Sequence, residues 1–401
     1  MISRLSNFIK FLIKVKILLK KPSQSDVIVI DSTSILEIKN VLKGFDWEIV
    51  ETRNELIKEI YITPKMVLNF FLNLKDNFKI AYLTTLIQEI RPKIVLTFID
   101  NSFHFSRIAK NFRNKKINFF AIQNAWRGDI SENDYFFKKG LINKNPNKIL
   151  YIPSFFCLGK NDIKKYKKYK IDVKKFFKVG SLRLYNAIQS NIKKNKKKYD
   201  ICLISNTTWD RELTGSDPSF ACGYVKLVKY LIRFVREKKL KLIFCLKSSN
   251  RSIAIQDNEI SILRKNLSAD YFNYLKKNST YKKKENYLSY KVAFSSNVVV
   301  GVTSTILGEC LSYGKKVLAC NFSNLEYCDF PIKGICFSKN KNYNNFSKQL
   351  KKIINCSDDY YQKRIKKKKN YIVNYNKNIN PNIIIQDYIK KTLKNYKQVA
   401  L

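Results

Sequence analysis

Short apolar runs alternate along the chain with longer stretches in which apolar residues recur every three or four positions. Runs of this kind are typical of strands covered on both faces, and the intervening period is typical of helices. In the first half, apolar runs lie at 26–31, 47–52, 93–100, 117–124 and 148–159. The stretch 64–86, with two aromatic-rich turns, is predicted to be helical. This order of elements predicts a parallel sheet with helices on both sides.

The pattern restarts after the lysine-rich stretch QSNIKKNKKKYD, which is poor in apolar residues. Further apolar runs lie at 199–206, 240–247, 297–301 and 315–321. The predicted fold class is therefore α/β, with two doubly wound Rossmann-like domains that face a cleft. The predicted parts are an N-terminal domain over 26–188, a linker over 189–198, a C-terminal domain over 199–378, and a helix over 379–401 that can pack back on the N-terminal domain.

The first 25 residues are basic and apolar, and they are predicted to form an amphipathic helix. Leu5, Phe8 and Leu12 fall near one helical face, whereas the charged residues lie largely elsewhere. Residues 1–21 can therefore lie on an anionic inner membrane surface. A helix packed on the protein's own core explains the same pattern, so both interpretations stay open.

The composition is strongly basic, with 77 Lys and Arg against 31 Asp and Glu and a formal net charge of +46. An excess of this size can indicate nucleic acid, an anionic membrane or a polyanionic substrate. Most of it is explained without a partner, because the lysines are scattered or form runs such as KKNKKK that are typical of solvated surfaces. No recognised nucleic-acid-binding motif occurs, so nucleic acid is not a predicted partner.

The nine cysteines occur singly, without a C-x-x-C pair, and the chain has one histidine. This pattern argues against a disulfide framework, a zinc site and a His-rich metal site. It fits the reducing cytoplasm, which is the predicted location, with the inner membrane face as a peripheral site.

In open parallel sheets, ligands bind beyond the carboxyl ends of the strands. Thr303, Ser304 and Thr305 follow the strand that ends at Gly301, where a helix is predicted to begin. The first N–H groups of a helix lack partners and bind phosphate well, together with such hydroxyls. Glu309 lies one turn from Thr305 and can accept hydrogen bonds from a ribose. The plainer alternative is that Ser304 only caps the helix and that Glu309 is solvated.

Two strands of the N-terminal half are also followed by polar residues, which should lie at one sheet edge: Asp100, Asn101 and His104 after the first strand, and Gln123, Asn124 and Arg127 after the second. Asp100 or His104 is a candidate general base, although a single His is more often structural. Asn124 can orient an acceptor, and Arg127 can stabilise a phosphate or an acidic sugar.

Further donor contacts are predicted after two strands of the second half, at Asn206, Thr207 and Lys247. Lys247 suits a diphosphate as a point charge, with a solvated surface lysine as the alternative. Gly180, in the segment KVGSLR before the linker, completes the candidate set.

The segment from Gly301 through Ser304, Thr305 and Glu309 to Gly314 resembles the C-terminal nucleotide-sugar motif of GT-B glycosyltransferases. In those enzymes the Ser/Thr pair meets the diphosphate and the Glu meets the ribose or sugar, a bound metal is commonly not needed, and a Gly such as the one in KVGSLR lies near the hinge. LTFIDNSFHFSRIAK, FAIQNAWRGD and FFCLGKND resemble a bacterial family of surface carbohydrate biosynthesis proteins, related to CDP-glycerol glycerophosphotransferases.

The resemblance implies a transferase that moves a sugar or polyol phosphate from a UDP-, CDP- or GDP-linked donor to a glycan or lipid-linked acceptor, with no bound cofactor. The glycerophosphotransferases carry a catalytic His-Gly pair where this chain has Asn124 and Ala125. Asn cannot take a proton at neutral pH, so that mechanism does not carry over at this position. A nucleotide-sugar 2-epimerase and a non-catalytic basic binding or scaffold protein remain the alternatives.

Overall fold

The computed structural model describes residues 14–74, 77–127, 150–169, 171–190, 197–205, 218–246, 253–283, 285–323 and 325–399. The strands of the N-terminal half are β1 (Lys16–Leu18), β2 (Val27–Ile30), β3 (Trp47–Val50), β4 (Glu59–Tyr61), β5 (Ile94–Thr97), β6 (Asn118–Ile122), β7 (Tyr151–Cys157) and β8 (Asp172–Lys178). The helices between them are α1 (Ile35–Val41), α2 (Pro64–Leu72), α3 (Phe78–Ile90), α4 (Phe103–Asn111), α5 (Lys160–Lys168) and α6 (Leu182–Gln189).

The described residues of this half form a six-stranded parallel sheet in the order β3-β2-β5-β6-β7-β8. One face packs against apolar residues of α3, α4 and α5, and the other against α1 and α6. Both faces of the central strands are buried because Val, Ile, Leu and Phe fill them without polar alternation. The predicted doubly wound domain is confirmed.

The second half contains β9 (Tyr199–Ile204), β10 (Leu242–Cys245), β11 (Ser296–Gly301), β12 (Lys316–Cys320) and β13 (Phe337–Ser338). Its helices are α7 (Pro218–Glu237), α8 (Ile253–Asn266), α9 (Ala269–Lys277), α10 (Leu288–Phe294), α11 (Thr305–Tyr313), α12 (Tyr343–Asn355) and α13 (Asp358–Ile365). Within the described ranges the strands form a parallel sheet in the order β10-β9-β11-β12-β13. This is the second predicted Rossmann-like domain.

After α13 the chain crosses back to the N-terminal domain through residues 371–374, named here the crossover segment. The N–H of Asn374 donates to the carbonyl of Leu158 at 2.7 Å, and the N–H of Asn161 donates to the carbonyl of Tyr371 at 2.9 Å. The last helix, α14 (Pro381–Val399), then covers the same face of the N-terminal sheet as α1 and α6. Its Tyr388 ring lies edge-on to Phe177, with centroids 4.7 Å apart.

Three local predictions differ from the structure. Lys16–Leu18 form a strand paired with β4, so a helix over all of 1–25 is wrong for these residues, while 1–13 lie outside the described part. The stretch 64–86 is two helices, because the Asn77 side chain accepts the N–H of Ile80 and starts α3 afresh. Strand β8 was not predicted, since its lysines suit an edge strand and mask the apolar pattern. Residues 191–196 of the predicted linker lie outside the described part.

Candidate active site

The segment after β6 lies against the start of α11, so predicted residues of the two domains meet at one place. The N–H of Trp126, just after β6, donates to the Thr305 hydroxyl at 3.3 Å. The Ser181 hydroxyl, at the start of α6, donates to Glu309 of α11. The candidate site is therefore an interdomain edge, as the two-domain architecture predicts.

Arg127 joins three other predicted residues in one cluster. Its guanidinium donates to both oxygens of Asp100, at 3.1 Å from Nε and 2.5 Å from Nη2. Nη2 also lies 3.0 Å from the Asn101 Oδ1 and 3.4 Å from the Asn124 Oδ1. A two-pronged pair of this kind holds the loops after β5 and β6 in a fixed relation.

Asp100 is almost fully buried, and it also accepts the Tyr166 hydroxyl at 2.5 Å. Both carboxylate oxygens are thus engaged by donors that would have to leave before it could accept a proton from a substrate. This geometry argues against the expected role of Asp100 as general base, and it argues for a structural ion pair with Arg127.

The cluster rests on polar residues of α5 that the sequence analysis did not single out. Asp162 accepts the N–H of Arg127 at 3.1 Å, and Lys165 Nζ donates to the carbonyl of Arg127 at 2.5 Å. Asp162, Lys165 and Tyr166 lie three and four residues apart on one buried helix face. That spacing was the available signal, although it is obscured by the surrounding lysines.

The Gln123 side chain forms hydrogen bonds within the protein at the end of β6. Its side chain accepts the N–H of Leu158 at 2.8 Å and donates to the carbonyl of Ala125 at 2.9 Å. It therefore shapes the turn after β6, which presents Asn124 and Arg127.

The buried Asp162 makes the stability of this region depend on pH. Burial raises its pKa to about 6. A raised carboxyl pKa means that folding favours the neutral form, so its contribution is present at low pH and is lost as the pH rises through about 6. We therefore expect the free energy of unfolding of Asp162→Asn, relative to that of the wild type, to rise by about 3 kcal/mol from about pH 4 to pH 7. Urea unfolding of both proteins across that range checks it, and a constant difference would contradict it.

His104 lies in the first turn of α4, half-buried at the same sheet edge. Burial and the charge of Lys79 lower its pKa, whereas Asp31 opposes them. Asp31, just after β2, accepts the Thr52 hydroxyl. The sequence analysis did not predict Asp31 as a site residue, because a single strand does not show which residues lie beside its end. A neutral imidazole can accept a proton, so His104 remains a candidate base.

Glu309 is buried and not solvated, so that alternative is wrong. It accepts the Tyr290 hydroxyl at 2.7 Å and the Ser181 hydroxyl, and burial raises its pKa. The hydroxyl oxygen of Thr305, one turn away, accepts the N–H of Trp126. The shared helical face of these two residues therefore binds the N-terminal domain in this conformation, which does not match direct ribose contact.

Ser304 is the N-cap residue of α11, yet among the described residues its hydroxyl makes no capping bond. The alternative in which it only caps the helix is therefore wrong. In contrast, Ser102, Ser181 and Ser268 each accept an N–H from the first turn of their helices. The N-terminus of α11 is thus left without a side-chain cap at the interdomain edge.

Gly180 contacts the crossover segment. Its φ is +92°, and an added Cβ would lie 2.1 Å from the carbonyl oxygen of Asn374. The structure places it where the chain returns between the domains, which fits the expected hinge but not a donor contact. Asn206, Thr207 and Lys247 lie outside the described residues.

Arg183 of α6 is a second cation at this edge that the sequence analysis did not single out. It donates to the Ser34 hydroxyl at 2.6 Å and to the carbonyl of Asn124 at 3.4 Å. Across the edge, the Tyr287 hydroxyl donates to Glu37 at 3.1 Å. The position of Arg183, two residues after Ser181 in KVGSLR, was the only signal for it in the sequence.

No protein-family model and no curated protein matches this sequence. Its fold is similar to a variant of the wall teichoic acid polymerase TagF soaked with CDPG, with a TM-score of 0.53, 9% identity, and coverage of 93% of this chain and 90% of that chain. It is also similar to the Methanocaldococcus jannaschii UDP-GlcNAc 2-epimerase in complex with UDP-GlcNAc and UDP, with a TM-score of 0.52, 10% identity, and coverage of 90% and 98%. These similarities confirm the predicted GT-B-like fold.

Proposed function

We propose that this chain is a GT-B-type transferase of surface polysaccharide synthesis. It moves a sugar or polyol phosphate from a nucleotide-activated donor to a glycan or lipid-linked acceptor. The uncapped N-terminus of α11 at the interdomain edge is the observation that carries this proposal. The fold supports it, because one neighbour is a wall teichoic acid polymerase soaked with CDPG and the other was solved with UDP-GlcNAc and UDP.

In the proposed donor site, the first N–H groups of α11 and the Ser304 hydroxyl bind the diphosphate. The positive end of the helix stabilises the charge that develops as the nucleotide leaves. Thr303 is the second proposed hydroxyl, and Asn206, Thr207 and Lys247 stay predicted donor contacts. The nucleotide base is open among uracil, cytosine and guanine.

Contact of Glu309 with the donor requires a change of partners, because ribose hydroxyls would replace the Ser181 and Tyr290 hydroxyls. The Thr305 oxygen accepts the N–H of Trp126, and its own O–H can donate to an oxygen of the donor. The proposed donor complex therefore has the two domains moved apart at this edge, with Gly180 and the crossover segment as the hinge.

In the proposed acceptor site, His104 accepts the proton of the acceptor hydroxyl, whose oxygen then attacks the donor. The bond from the donor group to the nucleotide breaks, and the nucleotide leaves with the electron pair. Asn124 orients the acceptor, and Arg127 holds the loop that carries Asn124. Membrane contact by residues 1–21 stays a prediction.

Ser304→Asp tests the donor site without unfolding the helix. Asp is as good an N-cap as Ser and suits the positive helix end, so the melting temperature should hold. Its charge should repel the diphosphate and remove a hydrogen bond, which lowers nucleotide affinity roughly 10- to 100-fold. Thermal shift and calorimetry with UDP-, CDP- and GDP-linked donors measure both quantities.

Ser268→Asp is the matched control, since Ser268 caps α9 of the same domain and accepts the N–H of Tyr271 at 3.3 Å. It should leave nucleotide binding unchanged. Two results would contradict the proposed donor site. One is wild-type protein that binds none of these donors, and the other is Ser304→Asp protein that binds them as well as the wild type.

The similarity to the 2-epimerase fold favours one second candidate function, epimerisation of a nucleotide sugar. Epimerases of this kind rely on several acidic and His residues in the cleft, whereas here Asp100 is fully engaged by Arg127 and Tyr166. Incubation with UDP-GlcNAc alone separates the two functions, because only an epimerase changes the free donor without an acceptor.

A further inference from the structure

Helix α2 exposes most of its apolar side chains to solvent. Its side chains Leu68, Phe71 and Leu72 are 63%, 64% and 65% exposed. Asn69 of α2 and the C-cap residue Asn73 instead bind α3: Asn69 donates to Glu89 at 3.4 Å, and Asn73 donates to Gln88 at 2.9 Å. A helix on an aqueous surface normally shows the opposite arrangement, with its apolar stripe toward the core.

The apolar surface continues from α2 onto the start of α3. The Phe70 ring lies 5.6 Å from Phe71, edge-on, and stacks on Phe78 at 6.1 Å between centroids. Phe78 is itself 72% exposed. Side chains of this size expose an area on the order of 500 Å² together, which is near the upper limit for an ordinary monomer surface.

Strand β1 extends the same surface. The N–H of Ile62, two residues before α2, donates to the carbonyl of Leu18 at 2.9 Å, and the neighbouring Leu19 is 82% exposed. The apolar patch is defined here as the exposed side chains around α2 and β1: Ile17, Leu19, Val67, Leu68, Phe71, Leu72 and Phe78.

Lysines border this patch. Lys16, Lys20 and Lys58 are exposed, and the N–H of Lys16 donates to the carbonyl of Lys58 at 2.9 Å. One acidic residue, the exposed Glu59, lies opposite Lys16 in the strand pair, so the lysines are in excess at this border. Lys65, in the first turn of α2, is also exposed, although it pairs with Glu89. An apolar centre with a cationic border matches the interface of a membrane with anionic lipids.

We propose that the apolar patch inserts into the interfacial layer of a bilayer that contains anionic lipids. The lysine border favours lipid over a second copy of this chain, because two like borders would repel each other. The sequence that precedes Lys14 is itself apolar and basic. In the described part of the chain, no helix is both long and apolar enough to cross a membrane.

Vesicle sedimentation of the full chain tests the proposal, with phosphatidylcholine vesicles and with vesicles that also contain phosphatidylglycerol. We expect wild type to bind the anionic vesicles and to release at high salt. The triple variant Leu68→Ser, Phe71→Ser, Leu72→Ser should bind at least roughly tenfold more weakly. The double variant Lys16→Glu, Lys20→Glu should also bind more weakly.

The matched control replaces exposed apolar residues of the C-terminal region, with Ile379→Ser, Ile383→Ser and Ile384→Ser. It should bind like wild type. Circular dichroism confirms that each variant is folded, and the lysine variant still tests the proposal if the triple variant is not.

Several outcomes would overturn the proposal. One is wild type that ignores anionic vesicles or binds neutral ones equally well. Another is a patch variant that binds like wild type. A third is wild-type protein that does not bind vesicles but is a dimer in light scattering, while the patch variant is a monomer. The patch would then be occupied by a second copy of the chain. None of these results bears on nucleotide binding at α11, so the proposed function is tested separately.

Discussion

Replacement of Asp100 by Ala is expected to lower the free energy of unfolding by about 3–5 kcal/mol. The reason is that Asp100 is almost fully buried and is the carboxylate partner of Arg127, whose side chain is only 20% exposed. Without it, the guanidinium loses its two-pronged carboxylate partner, while the amide oxygens of Asn101 and Asn124 that it also contacts carry no charge. Urea unfolding at neutral pH measures the loss.

The exposed ion pair between Arg113 and Asp172, at 3.2 Å, is the matched control. Asp172→Ala should cost at most about 1 kcal/mol, because surface pairs are screened by solvent. The double variant Asp100→Ala, Arg127→Ala should recover part of the loss, because it also removes the buried guanidinium charge that Asp100 neutralises. An Asp100→Ala protein as stable as Asp172→Ala but without activity would return Asp100 to the role of general base.

Replacement of Gly180 by Ala is expected to lower the free energy of unfolding by about 3–4 kcal/mol. Part of the loss is conformational, because an L-residue at φ +92° is strained. The rest is steric, since the added methyl group would lie 2.1 Å from the carbonyl oxygen of Asn374. That carbonyl belongs to the crossover segment, whose Asn374 N–H is bonded to Leu158, so it cannot simply move away.

Gly44→Ala separates these two causes. Gly44 has a φ of +84°, but nothing lies within 4 Å of an added Cβ. We expect it to cost only about 1–2 kcal/mol. Equal losses at the two positions, in the same unfolding assay, would show that the crossover segment does not pack tightly against Gly180.

The domain architecture could be predicted because the order of apolar runs and helical periods along the chain indicates it. Strands β2, β5 and β11 are continuous apolar runs, and such runs are stable only in a sheet covered on both faces. The hydroxyl residues after β11 could be predicted for the same reason, since the end of a strand and the start of a helix are both visible in the chain. Strand β8 was missed because an edge strand needs less apolar surface and carries lysines.

Partners across the fold could not be predicted. Asp100 and Glu309 were identified as chemically important carboxylates, but Arg127, Tyr166, Ser181 and Tyr290 decide that both are engaged inside the protein. These contacts join residues up to 128 positions apart, and no local pattern records them. The placement of Gly180 against the crossover segment depends on a chain return of the same kind.

The sequence by itself determined the two parallel sheets, the position of the hydroxyl residues at the start of α11, and the basic character of the chain. Only the tertiary structure decided which groups the buried charges bind and which way α2 faces. A helical period defines an apolar stripe but not the direction in which it points, and the hydrogen bonds of Asn69 and Asn73 to α3 turn that stripe outward. Burial follows from the pattern of one segment, whereas orientation and pairing follow from the contacts between segments.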